Sequence, residues 1–175
     1  MTPRRPSALI VVESYWGNTA AIAAAVADGL RQAGVEPTLV DAADAPVSIG
    51  PETGLLLIGA PTHNMALPGP SSRRTAATRG APADGPGVRE WLERLRFEAA
   101  AVVYAFDTHT SKYSGSAAED AVRRLRRSPA RAQVGERFQI AGDPPVLREG
   151  ELARAAAWGR QLAAGIGADV PSSLE

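Results

Sequence analysis

Two hydroxyls, a glycine and an amide side chain lie close together in Ser14-Tyr15-Trp16-Gly17-Asn18-Thr19, a grouping suited to a turn that closes around an anion. Ala8 to Val12, just before it, is a short continuous apolar run of the kind that forms a strand buried on both faces. From Ala20 onward Ile22, Val26 and Leu30 recur at helical spacing. The turn therefore falls between the carboxyl end of a strand and the amino end of a helix. There the first backbone N–H groups lack intrahelical partners and the helix dipole favours negative charge, so main chain plus the hydroxyls of Ser14 and Thr19 suit a phosphate. Gly17 permits a tight turn and Asn18 is placed to cap the helix. This makes the chain a candidate nucleotide or flavin binder. An ordinary strand-to-helix turn with an Asn cap uses the same residues, and only the rest of the chain separates the two readings.

Other chemistries lack their residues. A nucleoside-triphosphate loop needs a Lys followed by Ser or Thr after a longer glycine-rich stretch, and a dinucleotide loop needs three spaced glycines. Neither is present. Ser14 stands at the wrong distance from Gly17 for a nucleophile elbow, and no Asp-His pair can be tied to it. Two His without Cys and without a carboxylate at ligand spacing make no metal site.

The elements that must position the turn follow from the apolar pattern. Leu55 to Ala60 is a second buried-strand run, followed by Pro61-Thr62-His63-Asn64. Ala100 to Phe106 is a third, followed by Asp107-Thr108-His109 and a Ser/Gly-rich loop reaching Gly115. Val35 to Val40 suits a shorter outer strand, and Phe138 to Ala141 a last one. Helical faces separate most of these runs: Val88, Trp91, Leu92 and Leu95; Ala118, Ala121, Val122 and Leu125; Leu152, Ala155, Gly159, Leu162 and Ile166. Alternating strand and helix predicts a three-layer α/β domain with a parallel sheet. Ala42 to Thr53, where a helix would usually lie, is short and Pro/Gly-marked, so the second helix is expected to be a stub or missing. Ala66 to Gly87 reads as a long Pro/Gly/Ser/Arg-rich loop directly after the second binding segment.

Composition bounds the answer. The 175 residues suit one domain, with 45% hydrophobic and 22% charged residues typical of a soluble globule. Residues 1–7 read as a flexible leader, 8–166 as the domain and 167–175 as a flexible tail. The absence of cysteine suits a reducing cytoplasm, and no apolar stretch reaches the ~18 residues of a membrane span. The leader is too short and polar for a secretion signal. Arg123, Arg124, Arg126 and Arg127 follow Glu119 and Asp120 in the order a helix dipole prefers. In a chain with 19 basic and 19 acidic residues they read as a solvated helix face, with no nucleic-acid or membrane partner implied.

Four short motifs stand in order along the chain: Glu-Ser-x-x-Gly-Asn-Thr from Glu13 to Thr19, Gly-Ala-Pro-Thr-His from Gly59 to His63, Ala-Phe-Asp-Thr from Ala105 to Thr108 with Gly115-Ser116-Ala117-Ala118 behind it, and Gly-Glu-Leu-x-Arg-Ala-x-x-Trp from Gly150 to Trp158. On these the chain resembles flavodoxin-like proteins, closest to the short single-domain ones of actinobacteria. The resemblance implies a doubly wound five-stranded sheet of order 2-1-3-4-5 with FMN at the switch point. Ser14, Tyr15, Trp16, Gly17, Asn18 and Thr19 would hold the phosphate. Pro61, Thr62, His63 and Asn64 on one side and Asp107, Thr108, His109 and Gly115 on the other would flank the isoalloxazine, Thr62 offering a hydroxyl or amide to its edge.

Function would then be electron transfer, as carrier or small oxidoreductase, with an unidentified redox protein or reductase as partner. Trp16 departs from the resemblance, replacing a phosphate-loop Thr, and quinone reductases of the tryptophan-repressor-binding type tolerate an aromatic there. Trp16 and the Arg73, Arg74 and Arg79 of the long loop motivate one alternative, a flavin-free interaction or regulatory module. An NAD(P)H-dependent quinone or flavin reductase is another. Trp91 and Trp158 read as core, whereas Tyr113 is set either against the ring or in solvent.

Overall fold

The computed structural model describes residues 7–82 and 85–168. The predicted leader and tail fall almost wholly outside these residues. Ser7, expected in the leader, is the first residue of a strand, and the last helix reaches Ala168.

In chain order the elements are β1 (Ser7–Val12), α1 (Asn18–Gln32), β2 (Glu36–Asp41), β3 (Ser48–Ile49), β4 (Thr53–Pro61), α2 (Pro70–Thr78), α3 (Val88–Arg94), β5 (Arg96–Phe97), β6 (Val102–His109), α4 (Ala117–Arg124), β7 (Arg131–Ala141), β8 (Val146–Leu147) and α5 (Glu151–Ala168). The main sheet runs β2-β1-β4-β6-β7-β8. Its first five strands are parallel and carry the expected 2-1-3-4-5 order, while β8 is a two-residue antiparallel addition at the edge. No helix lies between β2 and β4, as expected for a missing second helix; they are joined through β3, which pairs with β5.

Side chains alternate across each strand, so a strand buried on both faces feeds two cores. Ala8, Ile10, Val12, Leu55 and Leu57 pack against Ile22, Val26 and Leu30 of α1 and Trp158 and Leu162 of α5. Leu9, Val11, Leu56 and Ile58 pack against Trp91 and Leu92 of α3 and Ala118 and Ala121 of α4. Trp91 and Trp158 are core, as their helical faces predicted. The Trp91 indole donates to Pro46 O at 2.9 Å, and Trp158 meets Phe106 edge-on at 5.9 Å.

Three expectations change. β6 continues through His109, so Asp107, Thr108 and His109 are strand residues where a loop was expected; β7 pairing opposite them keeps the strand extended. The loop expected from Ala66 to Gly87 contains α2, started by Gly69 and by Pro70 in its first turn. Leu152, assigned to an apolar face, is half exposed at 48%.

Candidate functional site

The turn after β1 is built around Gly17, whose φ of +82° is a left-handed conformation that other residues adopt only with strain. Gly17, not Asn18, is the N-cap of α1; Asn18 is its first helical residue, and its Nδ2 donates to Pro145 O at 2.8 Å. Ser14 Oγ accepts from Ala20 N–H at 3.2 Å, which fastens the turn to the helix. Among the described residues, the N–H groups of Tyr15, Trp16, Gly17, Asn18 and Thr19 donate to no protein acceptor. This is the arrangement an anion completes.

Beside the turn opens a cavity of about 620 Å³, within the range of small-molecule sites. Ser14, Tyr15, Trp16, Asn18 and Thr19 line it, with Pro61 at the end of β4, Thr62, His63 and Asn64 just after it, and Thr108 near the end of β6. Thr19 Oγ1 and Thr108 Oγ1 share a 2.9 Å hydrogen bond that closes the floor between α1 and β6. Gly17, Asp107, His109 and Gly115, also expected in the site, do not line it.

Each of these four acts from behind the wall. Gly17 sets the backbone of the turn. Asp107 is wholly buried, accepting from Ser116 Oγ at 2.6 Å, from Ala118 N–H at 3.1 Å and from Arg137 Nε at 2.9 Å. His109 turns Nδ1 toward Asp107 at 3.5 Å, and burial, with Arg137 adding to it, lowers its pKa. Gly115 has φ +75°, and a Cβ there would stand 2.3 Å from Met65 Cα. Only glycine lets the 115 loop rest against the 63–66 turn, where His63 and Ala66 exchange two 3.0 Å backbone hydrogen bonds around Asn64 and Met65.

Thr62 is less free than expected. Its N–H donates to Thr108 O at 2.9 Å and its Oγ1 accepts from Ala117 N–H at 3.1 Å, which leaves the hydroxyl proton for a ligand. His63 packs its ring 5.1 Å from that of Tyr15, and burial lowers its pKa. Tyr113 is 80% exposed and takes no part in the wall.

Sequence reasoning missed the opposite wall. Ser71, Ser72, Thr75, Ala76 and Arg79 of α2 and its C-cap face the cavity, together with Asp143 and Pro145 of the β7–β8 turn. The signal for α2 was Gly69-Pro70, a helix start; its apolar stripe is too thin to read, since Ala76 is its one buried hydrophobic residue.

Glu13 anchors this wall. Its buried carboxylate accepts from the Tyr15 hydroxyl, from Arg73 Nη1 at 3.1 Å and from Val88 N–H at 2.9 Å. Arg73 also donates to Glu90 Oε1 at 2.5 Å. Burial alone would lower the Arg73 pKa, but its bonds to Glu90 and Glu13 outweigh burial and hold it above the ordinary value. Burial, then Glu13, pushes the Tyr15 phenol well above its usual pKa. Arg73, one of the arginines of the expected loop, is therefore buried behind the cavity wall.

A doubly wound α/β domain with a cavity beside the strand-to-helix turn at the switch point of its sheet has the layout of a ligand-binding fold. Within that class of fold the family profile described as Flavodoxin matches residues 10–97. The chain belongs to the flavodoxin family, whose members are flavin-binding electron-transfer proteins. Among solved structures, a flavodoxin from the domain Archaea is 17% identical with a TM-score of 0.62, covering 92% of this chain and 99% of its own. Flavodoxin 1 from Bacillus cereus is 17% identical with a TM-score of 0.59, covering 94% and 99%. The flavodiiron protein from Giardia intestinalis is 20% identical with a TM-score of 0.57; the match covers 94% of this chain and 37% of that one. At these identities the likeness is one of fold. A search of curated proteins finds no significant match.

Proposed function

We propose that this cavity binds FMN noncovalently and that the chain serves electron transfer, as a carrier or small oxidoreductase working with a redox protein or reductase. The observation that carries the reading is the Gly17 turn, whose unpartnered N–H groups open onto a cavity walled by hydroxyls and aromatic rings. Bound there, FMN supplies one- and two-electron chemistry at its ring. The chain's own part is positional. Residues 14–19 hold the phosphate through amides and hydroxyls; Pro61 to Asn64 and Thr108 wall the ring; α2 keeps water from the opposite side. The four sequence motifs favour grouping the chain with the short actinobacterial flavodoxin-like proteins, and the lack of cysteine favours the cytoplasm.

Trp16 is one motive for a flavin-free module, the arginines of the expected loop being the other. Trp16 packs against Tyr15, Ala76 and Ala81, forming wall beside a cavity that stays open. That placement favours a ligand-binding role. Titration of apo-protein with FMN, read by quenching of flavin fluorescence, tests the proposal: one-to-one saturation is expected, and no quenching with FMN in excess would sink it. NAD(P)H consumption with a quinone acceptor then separates a reductase from a carrier.

A further inference from the structure

Resting on that flavin reading, we propose that Arg79 is the specificity-determining cation that selects a phosphorylated flavin over an unphosphorylated one. Besides the imidazole of His63, the guanidinium of Arg79 and the carboxylate of Asp143 are the acidic or basic side chains that line the cavity among the described residues. They meet at 2.5 Å, Arg79 from the C-cap of α2 and Asp143 from the β7–β8 turn. Both segments are fastened beside the anion turn. The Asn18 bond to Pro145 O holds the β7–β8 turn against the first turn of α1, and Trp16, packed on Ala76 and Ala81, holds the end of α2.

The groups otherwise facing an anion here are neutral amides and hydroxyls. Arg79 supplies the positive charge that they lack, and it is half exposed, so it reorients without leaving a buried site. An ion pair this exposed contributes little to stability, whereas a guanidinium on a phosphate forms two parallel charge-assisted bonds. Asp143 thus engages Arg79 through Nη2 alone, where a phosphate would take the whole fork, and the phosphate displaces it. Repulsion between Asp143 and a phosphate dianion drives the same exchange.

The test is titration of wild type, Arg79→Gln and Asp143→Asn with FMN and with riboflavin, which lacks the phosphate. Arg79→Gln is expected to weaken FMN about tenfold and leave riboflavin unchanged. Asp143→Asn is expected to tighten FMN about threefold with riboflavin again unchanged. An unaltered ratio of FMN to riboflavin affinity in Arg79→Gln overturns the inference, whether both ligands weaken together or neither does. No change in Asp143→Asn overturns the exchange. If wild type binds riboflavin and FMN but the ratio ignores Arg79, only this inference fails; if wild type binds neither, the flavin reading fails with it.

Discussion

Glu13 and Asp107 are buried carboxylates at the ends of two strands of the same sheet, each paired with an arginine, yet they hold different things. Asp107 gathers partners that the sheet already brings near: Arg137 is its register partner on β7, and Ser116 and Ala118 begin the helix that follows β6. Glu13 takes its arginine from α2, 60 residues on, and an N–H from the start of α3, 75 residues on. The Asp107 cluster finishes a strand-to-helix connection, whereas the Glu13 cluster attaches a whole cavity wall. Gly87 shows how tight that attachment is, since a Cβ there would stand 2.3 Å from the Glu13 carboxylate oxygens.

The contrast can be broken from either side. Glu13→Ala leaves Tyr15 and Val88 N–H without their acceptor and Arg73 half paired, which is expected to cost about 3 kcal/mol in urea unfolding and to loosen flavin binding as α2 detaches. Asp107→Asn keeps an acceptor for Ser116, and Arg137 is partly exposed to water. It should cost about 2 kcal/mol and leave flavin affinity close to wild type, because Asp107 lies outside the cavity. Equal loss of flavin affinity in both variants would erase the distinction drawn here. Gly87→Ala sharpens it by displacing the Glu13 carboxylate without removing charge, at about 2 kcal/mol. Trp16→Thr removes packing on α2 at about 1 kcal/mol and should weaken FMN or leave it unchanged; tighter binding would restore the flavin-free reading.

Acid should act on both regions. His63 beside Tyr15 and His109 beside Asp107 are each held below 6.5 by burial, so the unfolded chain binds more protons than the folded one. Stability is therefore full above about 6.5 and declines as pH falls toward the folded values. Burial opposes ionisation of Glu90, but Arg73 outweighs it and holds its pKa below 4.5, so a further loss follows as pH drops beneath that value. Urea midpoints between about pH 7 and pH 4 should fall throughout, and His63→Gln should remove part of the upper step. A flat profile near pH 6 would contradict the burial of the two imidazoles.

The alternation of strands and helices, the missing helix between β2 and β4 and the Gly17 turn were legible in the residues, because each is encoded by local apolar period or by a glycine at a turn, whereas the strand order was implied by the family resemblance of the four motifs. Ten of the fourteen residues expected in the site line the cavity, for the same reason: loops at parallel strand ends converge at one edge of the sheet. Where Asp107 and His109 point was not legible, since strand extension through His109 depends on pairing with β7.

The sequence alone determined the principal strand runs, the helices with an apolar face and the place of the turn, since apolar periodicity acts between near neighbours in the chain. Tertiary structure decided that Arg73 is buried, that α2 walls the cavity and that Arg79 meets Asp143 across 64 residues. A polar side chain carries no periodic signal, so whether it faces water, a ligand or an opposite charge is settled only when distant segments close on one another.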